Sequence, residues 1–217
     1  GKTTFLKKYA KYLLSKGENI GILENDFGAV NVDMMLLADL MGDHCELEMV
    51  SGGCDADCHR RRFKTKLIAM GMCGYDRVIV EPSGIFDVDE FFDALREEPL
   101  DRWYEVGNVI AIVDANLEER LSKEAEYILA SEVANAGAIV LSHADEVQKD
   151  QADAVVAHLN HALEQIQCPR RVGKEVLRKS TLDLTDQDLE QLGQCGYQIE
   201  SYRKLDTDEK RVFESAY

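Results

Sequence analysis

Proline is almost absent from this chain, with 3 residues among 217. No segment repeats another or falls into low complexity. With 45% hydrophobic and 30% charged residues, these absences exclude an extended disordered chain and describe an ordinary soluble globular protein. Long apolar runs are missing as well. None approaches the ~20 residues that cross a bilayer, so neither a membrane span nor a membrane partner is expected. A secretory leader is not seen, although a chain that begins inside a motif could not display one. Positive charge is short too. Lys and Arg number 25 against 41 Asp and Glu, for a net charge of −16 and an isoelectric point near 4.7. Such a surface repels polyanions, which excludes a broad electrostatic footprint on nucleic acid. A single phosphate can still be held locally, by backbone N–H groups, one lysine and Mg²⁺. The short basic run "HRRRFKTK" reads as a solvated helix face. Six cysteines are present: Cys45, Cys54, Cys58, Cys73, Cys168 and Cys195. In an acidic chain of this kind they read as reduced thiols of a cytoplasmic protein.

The apolar pattern predicts alternating helices and strands. Residues Thr3–Lys16 carry Phe5, Leu6, Tyr9, Leu13 and Leu14 at helical spacing, and Gly17 follows as a cap. "NIGILEN", "CELEMV", "RVIVEPSG", "VGNVIAIVDA" and "GAIVLSHAD" read as strands. The segments between them read as helices: "VNVDMMLLADLMG" to Gly42, "CHRRRFKTKLIAMGMCG" to Gly74, "VDEFFDALRE", "LEERLSKEAEYILASEVANAG", and "VQKDQADAVVAHLNHALEQIQ" up to Pro169. Strand cores that are wholly apolar (Val78–Val80, Val109–Val113, Ile139–Leu141) are buried on both faces by crossover helices. The fold class is therefore α/β, a mostly parallel, doubly wound sheet. Residues 1–168 are expected to form one domain. Residues 169–217 are a small C-terminal extension, in which "LTDQDLEQLGQCGYQIESYRK" reads as a helix, a Gly turn and a strand.

In open parallel sheets, ligands sit outside the carboxyl ends of the strands. The residues at those ends are therefore the candidates. The opening "GKTT" (Gly1, Lys2, Thr3, Thr4) resembles the close of a phosphate loop, G-x-x-x-x-G-K-[ST]. A helix starting there offers N–H groups to a phosphate, with Lys2 on the β/γ-phosphates and Thr3 on Mg²⁺. "ENDFGAVNVD" places Glu24, Asp26 and Asp33 in a polar loop. It is either a switch segment that meets Mg²⁺ and the terminal phosphate, or an acidic surface loop in which Asn31 caps the next helix. "VIVEPSG" ends a strand on Glu81. Gly84 then either offers its N–H to a γ-phosphate or only closes a turn. "IVLSHADEV" stands where GTPases read guanine with Asn-Lys-x-Asp. Asp145 keeps the carboxylate that accepts from guanine N1 and N2, Ser142 and His143 replace Asn and Lys, and His143 can lie over the base. The alternative is that Asp145 caps the following helix.

Taken in this order, the motifs resemble the CobW/HypB/UreG family of metal-related GTPases. "GKTTF", "ENDFGAVNVD", "SGGC", "EPSG" and "SHAD" are the counterparts, from residue 1 to about 165. The pair "ENDFG" and "EPSG" is the most specific part. The resemblance implies a P-loop NTPase type of sheet, GTP bound with Mg²⁺ and hydrolysed slowly, a metal-receiving client protein, and a homodimer. It implies that "GKTTF" is half of a phosphate loop, whose first half and preceding strand belong ahead of Gly1. It also implies that Glu81 acts in the Mg²⁺ and water network, with Glu24 or Asp26 as second candidates.

The family's G-C-x-C-C metal motif is altered here to "GGCDADCHRRR". Cys54 matches its first cysteine. Ala56 and Asp57 stand where the second and third would be, and Cys58 arrives one residue late. Cys54, Asp57, Cys58 and His59 still lie within six residues. On a helix Cys54 and Cys58 would share a face. Thiolates with imidazole or carboxylate suit Zn²⁺, and thiolate with nitrogen suits Ni²⁺ or Co²⁺. His44 and Cys45 lie just upstream. The alternative is that both cysteines only pack. His158 and His161 read as surface residues, and Cys73, Cys168 and Cys195 as structural thiols. The leading function is a GTP-gated metallochaperone. The alternatives are a P-loop switch or ATPase with relaxed base choice and no metal role, and a binding module that has lost turnover.

Overall fold

The computed structural model describes residues 1–26, 32–51, 56–82 and 88–204, leaving aside the side chains of residues 25, 26, 32–34, 51, 56, 57 and 90. The chain divides into two compact units, one of residues 2–105 and one of Gly1 with residues 106–217.

In the first unit, helix α1 (Lys2–Ser15) buries Phe5, Leu6, Tyr9, Ala10, Tyr12 and Leu13, the face that helical spacing selects. Phe5 and Tyr9 stack at 5.9 Å. The helix ends at Gly17, whose φ of 82° lies in the left-handed region open to glycine. Strand β1 (Ile20–Asp26) follows, then the short helix α2 (Val32–Leu37), β2 (Cys45–Ser51), α3 (Ala56–Gly71), β3 (Arg77–Pro82), α4 (Val88–Leu95) and α5 (Leu100–Trp103). The sheet order is β2-β1-β3, and β1 is parallel to both neighbours. From β1 to β2 the chain steps one way across the sheet. From β2 to β3 it steps back over β1. Right-handed crossovers therefore send these two connections to opposite faces, which is what a doubly wound sheet requires. Central β1 is the most buried strand, with Ile20, Ile22 and Leu23 fully covered. Leu23 packs with Phe63, Leu67 and Met70 of α3. Gly21 shares that face by strand alternation. A Cβ on it would stand 2.6 Å from Met70 Cε and 3.0 Å from the Tyr75 ring, so glycine is what lets α3 approach.

The second unit holds β4 (Ile110–Asp114), α6 (Lys123–Asn135), β5 (Ala138–Ser142), α7 (Lys149–Gln165), β6 (Val176–Leu177) and α8 (Asp186–Gly193). Its sheet order is β4-β5-β6, again parallel. Every residue of central β5 is buried. One core joins Ile139 and Leu141 of β5, Val133 of α6, Leu159 and Leu163 of α7, and Cys168, Val172 and Val176 beyond. The residues after Pro169 thus contribute to the core of β5 and α7. Arg170 donates from one guanidinium nitrogen to the carbonyls of Val133 (2.7 Å) and Ala134 (2.8 Å), satisfying acceptors that the end of α6 leaves open.

Several elements differ from the sequence reading. The helix expected to run to Gly42 stops at Leu37 and tightens into a 3₁₀ turn, Ala38–Leu40, because Gly42 and Cys45 exchange backbone bonds that start β2. Helix α6 begins six residues later than Leu117. Ser122 is its N-cap, accepting from the Ala125 N–H at 3.2 Å, while Glu118, Glu119 and Arg120 are exposed and give a helix nothing to bury. "QIESYRK" forms no strand. Tyr197 makes one bridge to Ala136, and the N–H groups of Gln198 and Arg203 go to the carbonyls of Asn135 and Ile166. Among the described residues no helix is long and apolar enough to cross a membrane.

Helix α8 starts with a reciprocal cap. The Thr185 side chain accepts from the Asp188 N–H at 3.2 Å, and the Asp188 carboxylate accepts from the Thr185 N–H at 2.9 Å. Thr185→Ala is expected to lower unfolding stability by about 1 kcal/mol, read by denaturant titration at neutral pH. The Lys179 ammonium, and then the Thr185 N–H, hold the Asp188 carboxyl below its ordinary value. A carboxyl depressed by folding stabilises above its unfolded value and loses that contribution as pH falls through the lower folded one. The stability gap between wild type and Asp188→Ala should accordingly narrow in acid.

Candidate functional site

Two groups of sequence-selected residues lie at the carboxyl ends of strands or the start of a helix. One group belongs to each unit.

In the first unit, Lys2, Thr3 and Thr4 form the opening turn of α1. The first N–H groups of a helix have no intrahelical acceptor, and the helix dipole adds positive potential there. No acidic residue occupies this turn, so no carboxylate of its own would compete with an anion there. Lys2 and Thr4 are exposed and Thr3 is half-buried. Glu24 of β1 and Glu81 of β3 are register partners in the parallel sheet, so they project to the same face from adjacent strands, roughly 4.8 Å apart. They differ in access. Glu24 is only 3% exposed, whereas Glu81 is half-buried. Asp26 is the last residue of β1, opposite Ser51, and its side chain lies outside the described ones. Gly84 and the loop residues 27–31 lie outside the described residues altogether.

In the second unit, Asp114 ends β4 and its register partner Ser142 ends β5. Ser142 is buried and its hydroxyl donates to the Val113 carbonyl at 3.3 Å. His143 follows with a φ of 57°, uncommon for a residue with a side chain, and the Glu146 N–H returns to the His143 carbonyl at 3.0 Å. The turn presents Asp145 as an exposed side chain. Asp145 does not cap the next helix, since the N-cap of α7 is Gln148. Asp114 Oδ1 accepts from the Asn116 N–H at 2.9 Å and pairs with His143 Nδ1 at 3.1 Å. Burial pushes the Asp114 carboxyl up, but these two donors outweigh it and leave the group below its ordinary value. Sequence reading passed over Asp114. The signal was available, because Asp114 closes "VIAIVDA" just as Glu81 closes "VIVE".

The cysteine segment gathers less. Helix α3 begins at Ala56 and carries Cys58, while Cys54 lies outside the described residues. Asp57 is in the first turn with its side chain outside the described ones, and Cys58 is half-buried. His59 is 4% exposed. It falls on the helical stripe of Phe63, Leu67 and Met70, which packs under the sheet. His44 Nδ1 lies 2.5 Å from Asn19 Oδ1, and burial pushes the Cys45 thiol up, away from the thiolate a metal needs. Among the described residues no three His, Cys, Asp or Glu side chains converge as a metal site. His158 is also less exposed than its sequence suggests. Its Nε2 meets Glu126 of α6 at 2.7 Å.

The chain matches the family model described as CobW/HypB/UreG, nucleotide-binding domain, across residues 1–172. It is 28% identical over 158 residues to the zinc chaperone YjiA of Escherichia coli (strain K12), covering 67% of this chain and 46% of YjiA. The chain thus spans about half the length of that curated relative. The crystal structure of HypB from Helicobacter pylori in complex with nickel is similar at a TM-score of 0.50 and 16% identity, over 89% of this chain and 78% of the other. At that identity the likeness shows the shared fold, a parallel α/β sheet of the P-loop type. With 172 residues matched end to end and strand-end carboxylates where the motifs put them, the chain belongs to the CobW/HypB/UreG family of nucleotide-binding domains.

Proposed function

We propose that the intact protein binds GTP with Mg²⁺, hydrolyses it slowly, and uses nucleotide state to gate delivery of a transition metal to a client protein. The observation that carries this reading is the Glu24–Glu81 pair at the ends of adjacent parallel strands, in the unit whose first helix opens with Lys-Thr-Thr. The donor set suits the ion. Mg²⁺ takes oxygen ligands, and the Thr3 hydroxyl with the Glu81 and Glu24 carboxylates offers only oxygens. When bound, the ion would neutralise phosphate charge. Lys2 and the first N–H groups of α1 would hold phosphate oxygens, with Gly84 adding its N–H. Glu81 would orient the attacking water, with Asp26 as a second candidate beside Glu24. Asp145 would read the base edge, beneath His143. The reading requires the remainder of the phosphate loop, from its first glycine, ahead of Gly1.

The cargo is a soft or borderline cation. Zn²⁺, Co²⁺ and Ni²⁺ all suit the thiolate, imidazole and carboxylate of Cys54, Cys58, His59 and Asp57. The names of the two relatives, one a zinc chaperone and one complexed with nickel, support the class without choosing within it. A cytoplasmic location and a homodimer belong to the same proposal.

Calorimetric titration of Zn²⁺, Co²⁺ and Ni²⁺ tests it, using protein with a complete phosphate loop, with and without GTP·Mg²⁺. The Cys54→Ala/Cys58→Ala variant is run alongside. Binding should change with GTP and be lost in the variant. Binding that the variant leaves untouched, or no binding at all, removes the cysteine site. A nucleotide switch without a metal role would then stand. The replacement of Asn and Lys by Ser142 and His143 favours a second reading, relaxed base choice. Equal affinity for GTP and ATP would support it.

A further inference from the structure

The ends of β4 and β5 are tied together more heavily than strand pairing requires. Asp114 Oδ1 takes the Asn116 N–H and faces His143 Nδ1. The Asn116 amide donates to Glu146 Oε2 at 3.3 Å. The Ala115 N–H donates to the Ser142 carbonyl at 2.9 Å, and the Glu146 N–H to that of His143. The Asp114 and His143 side chains nonetheless remain 50% and 41% exposed. A polar pair this open does little for folding stability. Its geometry has another consequence. A carboxylate can only accept, so the pairing requires a proton on His143 Nδ1. That sets the tautomer and ring orientation, and turns the Nε2 edge away from Asp114.

We infer that Asp114 is a positioning residue for purine-nucleotide recognition, holding the His143 ring in one orientation beside Asp145 so that the ring can cover the face of a base whose edge Asp145 reads. The inference rests on the nucleotide-binding reading above. It adds a specificity element in place of the lysine that other guanine sites use, because a ring fixed by a neighbouring strand is preorganised and loses less rotamer freedom on binding.

The test is a double-mutant cycle on the protein with a complete phosphate loop, with GDP affinity read by calorimetry. Asp114→Asn keeps an Oδ1 for the Asn116 N–H, so the turn persists, but removes the charge that holds Nδ1–H. It should weaken GDP binding about tenfold. In a His143→Ala background the same change should have less than about a twofold effect, because its route is gone. Independently of nucleotide, ¹⁵N shifts of the His143 ring should report a single Nδ1–H tautomer in wild type and a mixture in Asp114→Asn. Equal losses in both backgrounds would make Asp114 merely structural and overturn the inference, as would an unchanged affinity in Asp114→Asn. A wild-type protein that binds GDP while its ring shows no tautomer preference overturns the inference alone. A wild-type protein that binds no nucleotide overturns the nucleotide reading and this inference with it.

Discussion

On the proposed GTPase reading, replacing Glu81 with glutamine is expected to slow GTP hydrolysis by roughly 10²-fold while leaving GTP affinity within a few-fold. The argument starts from the sheet. Glu24 and Glu81 are register partners on neighbouring strands, so the sheet holds two carboxylates side by side. Two like charges at that spacing raise each other's cost of ionisation unless a cation or donors intervene. They are not equivalent, because Glu24 is covered and Glu81 is half-buried. Of the two, Glu81 keeps the more surface open to solvent. Glutamine preserves the volume and one acceptor oxygen, removes the charge, and turns the second oxygen into an NH₂ donor. Binding energy drawn from Lys2 and the α1 N–H groups should therefore survive. The loss should fall on turnover, where charge develops at the transferred phosphoryl group. Single-turnover phosphate release at saturating GTP·Mg²⁺ measures it, with Glu24→Gln as the comparison and a smaller effect expected there. A Glu81→Gln rate within about threefold of wild type would remove Glu81 from the reacting centre. If Glu24→Gln alone stopped turnover, the covered carboxylate would take its place.

How far the sequence could be read depended on whether burial leaves a local pattern. Central β1 and β5 announced themselves as apolar runs because each is flanked by strands on both sides and covered. β6 has two residues, too few for any period, and exists because Val176 and Leu177 register with Ile139 and Val140. The strand-end rule selected Glu24, Glu81 and Asp145 as candidates. It would have selected Asp114 too, but the side chain that Asp114 pairs with, His143, comes 29 residues later, just after β5, a tertiary fact. His59 is the opposite case. Three arginines follow it, which suggested a solvated segment. Yet the stripe His59, Phe63, Leu67, Met70 has helical period and was visible in the sequence, and all four are buried. The local charge run masked it because Arg60–Arg62 occupy the other side of the same helix.

Gly137→Ala is expected to cost about 3 to 5 kcal/mol of unfolding stability, the sum of a forced backbone displacement and broken hydrogen bonds. Gly137 joins α6 to β5, and its N–H donates to the Val109 carbonyl at 2.8 Å. A Cβ there would lie 2.1 Å from the Gly196 carbonyl oxygen and 2.5 Å from that of Cys195. Those neighbours are backbone atoms, so no rotamer change relieves the overlap. Nor can the 195–198 segment retreat freely. The Gly196 carbonyl accepts from the Val109 N–H at 3.0 Å, the Gln198 N–H donates to Asn135 at 3.0 Å, and Tyr197 bridges Ala136. Moving the segment orphans the Val109 N–H just ahead of β4, and a donor left unmade where water cannot replace the acceptor costs about 1–3 kcal/mol by itself. Gly173 is the control. It has an ordinary φ and nothing within 4 Å of a built Cβ, so Gly173→Ala should stay within about 0.5 kcal/mol of wild type. Denaturant titration of both variants decides the matter. If Gly137→Ala is no less stable than Gly173→Ala, the segment at 195–198 is not held against β5 as described. The large loss would instead show that a turn distant in sequence from β4 and β5 sets how closely their first residues pack. At their other ends the same two strands lead to Asp114 and His143, so any slippage of one past the other would reach the contact between those side chains.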